Sequence, residues 1–191
     1  MTDRHFPVHP NLRQLKNQAK ELLREVRRGD PAARADLQQH HPERPQPIDV
    51  SLVDAQLVLA RSYGLQSWPR LVLACQVIDA ICHNHVDELR ALMVRHPRLI
   101  SEPARGTASC NWGAPMSYAA NLGRREIIAM MRELGASDLG HALDRACLQG
   151  ELDAARQLHA MGARPARDAL MGPAESLSPE GMAFLLDIGA E

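Results

Sequence analysis

Residues 115–136 read PMSYAANLGRREIIAMMRELGA, residues 142–163 read ALDRACLQGELDAARQLHAMGA, and residues 169–190 read ALMGPAESLSPEGMAFLLDIGA. All three end on the same pair, Gly135-Ala136, Gly162-Ala163 and Gly189-Ala190, at a step of 27 residues. Met116, Leu143 and Leu170 keep that step, as do Ala120, Cys147 and Ala174; Gly123 and Gly150 share a register whose third member is Leu177. Several positions in phase mark a duplicated supersecondary unit. Each unit reads as a short helix, a turn near the first glycine, a second helix and a Gly-Ala stop. In the clearest copy the first helix carries Met116, Ala119 and Ala120, the turn is Gly123, and the second helix runs from Glu126 to Leu134. Small alanines let neighbouring units approach, Ile127, Ile128 and Met131 supply bulk between helices, and the terminal glycine supplies a left-handed cap.

Working outward, the N-terminal half is also helical. Leu12, Leu15, Ala19, Leu22, Leu23 and Val26 lie at helical spacing between Asn11 and Arg28. Gly29 ends that helix, and Asp30-Pro31 opens another, as N-cap and first helical residue, that runs to about Gln39. Prolines 42, 45 and 47 make His41 to Asp49 an extended loop. Ser51 and Asp54 form a variant capping box for a helix reaching Tyr63 and stopping at Gly64. Ser67 caps a further helix, with Pro69 in its first turn and Leu71, Leu73, Ala74, Val77, Ile78 and Ile81 along it. No segment shows sustained period-two alternation, so the chain is expected to be all-α, with an N-terminal helical domain over 1–66 and repeats over 67–191.

Composition agrees with a globular helical chain. Of the 191 residues, 45% are hydrophobic and 24% charged, with aromatics at only 3%, which favours close helix packing over a sheet. The net charge of −1 divides into +2 up to residue 66 and −3 beyond it, so neither half carries the basic excess that binding a phosphate backbone requires. Met1 to Asn11 has no apolar run of signal-peptide length, and no uncharged apolar run spans a bilayer. The expected compartment is the cytoplasm, with no membrane and no nucleic acid among the partners. Cys75, Cys82, Cys110 and Cys147 follow no disulfide framework.

The repeated residues resemble the ankyrin family. Pro115-Met116, Ala119-Ala120, Gly123, Glu126-Ile127-Ile128, Met130-Met131 and Gly135-Ala136 match its Pro-Leu, Ala-Ala, Gly, Glu-Ile-Val, Leu-Leu and Gly-Ala pattern in order and spacing. Asn84 to Leu89, Leu92-Met93 and His96-Pro97 look like an earlier copy, with Asn84 in the glycine position. The resemblance covers roughly residues 75 to 191 as about four units. It implies a helical repeat solenoid, and the 27-residue step, against about 33 in that family, implies shortened β-fingers. Arg98 to Gly113 is longer than usual, and the family's Thr-Pro-Leu-His is altered to Ala114-Pro115-Met116-Ser117 and His141-Ala142-Leu143-Asp144. The first 71 residues are similar to a helical segment that precedes ankyrin repeats, and sometimes glyoxalase-like domains, in bacterial proteins. Leu15-Lys16, Gln18-Ala19-Lys20, Leu22-Leu23, Gly29-Asp30-Pro31, Asp54-Ala55-Gln56, Ala60-Arg61 and Ser67-Trp68-Pro69 carry that likeness.

Chemistry-bearing residues read mostly as structural. Cys75, Cys82, His83 and His85 lie close in sequence, but without the paired close spacing of a structural zinc site they read as buried cysteines and turn histidines. His40-His41 reads as part of a solvated loop. There is no nucleophile elbow, phosphate-cradling glycine loop or His-Glu-x-x-His, so neither catalysis nor a cofactor is expected. The family resemblance places the partner-facing residues in the fingers and at the two positions before the first-helix glycine. Carried over, these are Cys82 and His83, Asn121 and Leu122, and Leu148 and Gln149, with Cys110, Asn111, Trp112 and Gly113 added by the long finger. Trp112 either anchors a partner or packs beneath its own loop. The five apolar residues Met182 to Leu186 make a poor terminal cap, which implies self-association, further chain or a covering partner. The expectation is a non-catalytic module binding another protein; the alternative is a regulatory module that positions or modulates a partner enzyme.

Overall fold

The computed structural model describes residues 4–43, 45–106 and 112–190. Among the described residues there are eleven α-helices, one 3-10 helix and no strand. None of these helices is long and apolar enough to cross a membrane. The chain forms two compact units, Met1–Gln76 and Val77–Glu191, which divide within the fourth helix.

In the first unit, α1 (Leu12–Arg28), α2 (Pro31–His40) and α3 (Leu52–Ser62) pack against one another. Leu15, Ala19, Leu22 and Val26 recur at steps of three and four, and they form the buried stripe of α1. Each large aliphatic chain so buried contributes about 1.5–3 kcal/mol relative to an exposed one. The ends follow local chemistry. Asn11 accepts from Gln14 N–H at 3.1 Å, Asp30 accepts from Ala33 N–H at 2.9 Å, and Gly29 takes φ +86° after α1. At α3, Ser51 N–H donates to Asp54 Oδ2 at 2.8 Å while Asp54 N–H donates to Ser51 Oγ at 3.3 Å, which completes the capping box.

His41 departs from the expectation of a solvated loop. It is 6% exposed, its Nδ1 accepts from Glu43 N–H at 3.2 Å, and its Nε2 lies 3.2 Å from Asp54 Oδ1. Because Nδ1 accepts a backbone proton, the neutral ring carries its hydrogen on Nε2 and donates it to Asp54. The loop therefore folds one histidine inward onto the α3 cap, an arrangement that a proline-rich composition does not disclose.

α4 (Trp68–Cys82) begins at Ser67, whose Oγ accepts from Arg70 N–H at 3.3 Å. The second unit continues with α5 (Val86–Arg95), a 3-10 turn at Pro97–Ile100, α6 (Pro115–Ala120), α7 (Arg125–Glu133), α8 (Leu139–Gln149), α9 (Leu152–Ala160), α10 (Met171–Glu175) and α11 (Pro179–Asp187). Helices α6, α8 and α10 pack in one series, and α5, α7, α9 and α11 in a second. The pairs α6–α7, α8–α9 and α10–α11 link the two series. Met116, Ala119, Ala120, Ile127, Ile128 and Met131 are all fully buried, as are Leu143, Ala146, Cys147, Leu158 and Leu185.

The turns between helices repeat one conformation. Asn84, Gly123, Gly150 and Leu177 take φ of +57°, +64°, +73° and +56°. After each, a backbone N–H reaches back five residues: His85 to Ala80 O at 2.8 Å, Arg124 to Ala119 O at 2.9 Å, Glu151 to Ala146 O at 2.9 Å, and Ser178 to Pro173 O at 2.8 Å. Asparagine tolerates the left-handed region; a leucine there is strained.

At the far end, Leu185 is the fully buried member of the Met182–Leu186 run, whereas Leu186 is 53% exposed. Gly181 is held hard against α8. A Cβ there would lie 2.0 Å from the Cys147 carbonyl oxygen, so only glycine permits this approach.

Candidate functional site

The residues expected to meet a partner fall at the C-terminal ends of α4, α6 and α8 and in the loop before α6. Cys110 and Asn111 lie outside the described residues. The others occupy varied settings. His83 and Gln149 are exposed, whereas Cys82, Trp112, Gly113, Leu122 and Leu148 are half-buried and Asn121 is buried.

The exposed imidazole of His83 donates from Nδ1 to the Asp79 carbonyl at 2.9 Å, and its ring centroid stands 5.5 Å from that of His85. At Cys82, burial raises the thiol above its ordinary range, with Arg124 opposing and Asp79 adding to the shift. The Cys82 carbonyl accepts from Arg124 Nη2 at 2.6 Å. Leu148 packs toward the next pair: its Cδ1 would be 3.3 Å from a Cβ at Gly172, and its carbonyl accepts from Ser176 Oγ at 2.6 Å.

Around Trp112 the loop meets α6 and α8. Its ring lies 4.6 Å from the Tyr118 ring at an interplanar angle of 41°, and the Arg145 guanidinium carbon sits 5.3 Å from its centroid. Arg145 is only 7% exposed, and its Nε and Nη2 both donate to Asn121 Oδ1, the former at 2.9 Å. The two readings of Trp112 thus resolve into a mixture, since one part of the ring packs on Tyr118 and Arg145 while the rest reaches solvent. Asn121, 4% exposed, spends its carbonyl on Arg145 and does not present it outward.

A polar border adjoins this cluster. Ser117 Oγ donates to Asp138 Oδ2 at 2.5 Å. Gly113 lies so near His141 that a Cβ would meet the ring at 2.6 Å, and its carbonyl accepts from Ala104 N–H at 2.9 Å. At Asp144, burial raises the carboxyl above its ordinary range; nearby His141 and the Ala166 N–H pull it down and Asp168 pushes it up. Among the described residues, no group of three or more His, Cys, Asp and Glu side chains is placed to hold a metal ion.

Sequence reasoning missed Tyr118 and Arg145, although a signal existed. They are 27 residues apart, in one register, and Arg145 interrupts the apolar face formed by Leu143, Ala146 and Cys147. A charged residue in a buried register position requires a partner, and here that partner is Asn121.

Comparisons of the chain with models of known protein families, with curated proteins and with solved structures found no match.

Proposed function

We propose that this chain is a protein-binding module of ankyrin type, without catalytic function, whose stacked helix pairs present one rigid face to a partner. The observation that carries this reading is the recurrence of one left-handed turn at Asn84, Gly123, Gly150 and Leu177, each joining a first helix to a second. Even leucine adopts the conformation when it falls in that register. Sequential packing of first helices on first helices and second on second supports the same reading, because repeat arrays are built from such neighbour contacts. Trp112, Leu122, Leu148 and Gln149 offer a half-exposed aromatic, two aliphatic chains and an amide, a composition suited to a protein surface. The near-neutral charge suits a protein better than a nucleic acid.

Affinity capture from a bacterial lysate, followed by cross-linking, tests the proposal. The expected result is one partner cross-linked beside Leu122 and Gln149 and lost on Leu122→Arg or Gln149→Glu, both of which retain the parent melting temperature. Capture indifferent to both variants, or steeply salt-dependent retention on DNA or RNA, would overturn it. The α10–α11 end, with Met171 61%, Leu177 86% and Leu186 53% exposed, belongs to the same proposal as a surface for self-association. Sedimentation giving a monomer at all concentrations would remove that part alone.

A further inference from the structure

Pro42 has no backbone N–H to donate, so the chain leaving α2 is held by other groups. The His41 N–H donates to the Leu37 carbonyl at 3.0 Å, which fixes His41 itself to the end of α2. Two residues on, the Glu43 N–H donates to His41 Nδ1 at 3.2 Å, and this bond ties the start of the 42–49 loop to the buried ring. The far end is held separately, since Val50 is buried and its carbonyl accepts from Arg27 Nη2 at 2.9 Å. Most of the described loop residues between these two anchors are exposed, Ile48 to 83%.

The two ring nitrogens of His41 respond oppositely to a proton. In the neutral ring one nitrogen accepts and the other donates; the imidazolium donates from both and accepts at neither. A proton on Nδ1 would meet the Glu43 N–H donor to donor, so that bond is lost. At Nε2, 3.2 Å from Asp54 Oδ1, the same proton places a full positive charge beside the carboxylate and strengthens the contact. Asp54 remains ionised well below neutrality, because hydrogen bonds from the Ser51 side chain and backbone lower its carboxyl. The other charged and titratable groups around the ring and its loop are Arg61 on α3, which donates to the His40 carbonyl at 3.3 Å, His40 at the end of α2, Arg27 on α1 and Glu43 itself. Histidine ordinarily changes charge between pH 5 and 8, a range in which arginine keeps its own.

We propose that His41 is a proton-operated latch: neutral, it holds the Glu43 amide and with it the start of the 42–49 loop; protonated, it keeps its hold on Asp54 and releases the loop. His41 itself stays in place in both states, because the Leu37 carbonyl and Asp54 still hold it. Protonation therefore changes the surface that the loop offers and leaves the packing of α1, α2 and α3 intact. The coupling is reciprocal, so a partner that takes up the released loop draws a proton onto His41. None of this depends on the protein-binding function proposed above.

The test is an NMR titration of the full chain from pH 8 to 5, read at the imidazole nitrogens of His41 and at the Glu43 amide. At pH 8 the ring is expected to carry its hydrogen on Nε2 and a lone pair on Nδ1. As the ring takes a proton, the Glu43 amide should shift with the same midpoint. Its exchange, corrected for the intrinsic effect of pH, should rise about fivefold while the amides of α1 and α3 hold. Two variants isolate the bond. His41→Asn keeps an acceptor for the amide two residues on, as in an Asx-turn, without a titrating ring, so its Glu43 amide should stay protected down to pH 5. His41→Leu fills the same space without an acceptor and should leave that amide released already at pH 8. Thermal melts establish that both variants are folded. A Glu43 amide that stays protected while His41 becomes charged overturns the proposal, as does a hydrogen found on Nδ1 at pH 8 or a ring still neutral at pH 5. An equal response of the Glu43 amide in the parent and in His41→Asn assigns the change to another group, His40 included, and overturns it as well.

Discussion

Leu177 offers a direct measurement of how strongly the repeated turn is imposed. It holds φ +56° and is 86% exposed, so replacing it removes backbone strain while sacrificing almost no buried surface. The left-handed region costs a side-chain-bearing residue about 1–2 kcal/mol, and glycine escapes that penalty. Glycine also gains freedom in the unfolded chain, which takes back about 0.4–1 kcal/mol. The net expectation for Leu177→Gly is a stabilisation of about 0.5–1 kcal/mol, or about 1–4 °C in Tm for a chain of this size. Urea titration followed by circular dichroism, with thermal melts alongside, measures it. Leu177→Ala is the control: it removes the same exposed apolar surface but keeps a Cβ, and is expected to stay within about 0.5 kcal/mol of the parent. Should the alanine variant be stabilised as much as the glycine variant, the effect is surface chemistry and the strain argument fails. Should Leu177→Gly be destabilised, the turn does not hold the residue in the left-handed region at all.

Further outcomes follow from close contacts. Gly181→Ala forces a methyl onto the Cys147 carbonyl, so α11 must move, with an expected loss of about 1–3 kcal/mol in the urea midpoint and the largest rise in amide exchange along α11. Arg145→Met removes both bonds to Asn121 and the cation over Trp112, with an expected cost of about 1–3 kcal/mol. Unchanged stability together with unshifted Trp112 fluorescence would show that the cluster holds nothing. The Asp54 carboxyl lies below its ordinary range chiefly because of the hydrogen bond from the Ser51 side chain, with the Ser51 backbone and His41 adding to it. A lowered carboxyl stabilises the fold above its unfolded value and loses that contribution as pH falls through the folded one, in the range below about 4. The urea midpoint of the parent should therefore fall more steeply between pH 5 and 2 than that of Asp54→Asn; parallel curves would contradict the assignment.

Much of the helical architecture could be read from the chain because periodicity and caps are local. The stripe of α1, the Asp30-Pro31 start and the Ser51–Asp54 box depend only on residues within a few positions, and the structure forms each. The second helix of the clearest repeat, expected over 126–134, spans Arg125–Glu133. Asn84, assigned to the glycine position, takes the glycine conformation. What escaped depends on distant contacts. The burial of His41 needs Asp54, thirteen positions away, and the engagement of Asn121 needs Arg145, twenty-four away.

The carbonyls at the ends of the first helices carry a consequence for how the second unit comes apart. The last carbonyls of a helix have no partner within the helix itself. Here Arg124 serves the end of α4, while Ser176 and Ser178 serve Leu148 and Cys147 at the end of α8. The α6–α7 and α10–α11 pairs thus supply missing donors to the pair before them, and peeling away either one exposes both the apolar face and the frayed carbonyls of its predecessor. Such mutual completion ties neighbouring opening events together. It should make the unit melt as a block, with amide exchange nearly uniform from α6 to α9, where a chain of independently capped pairs would unzip one by one.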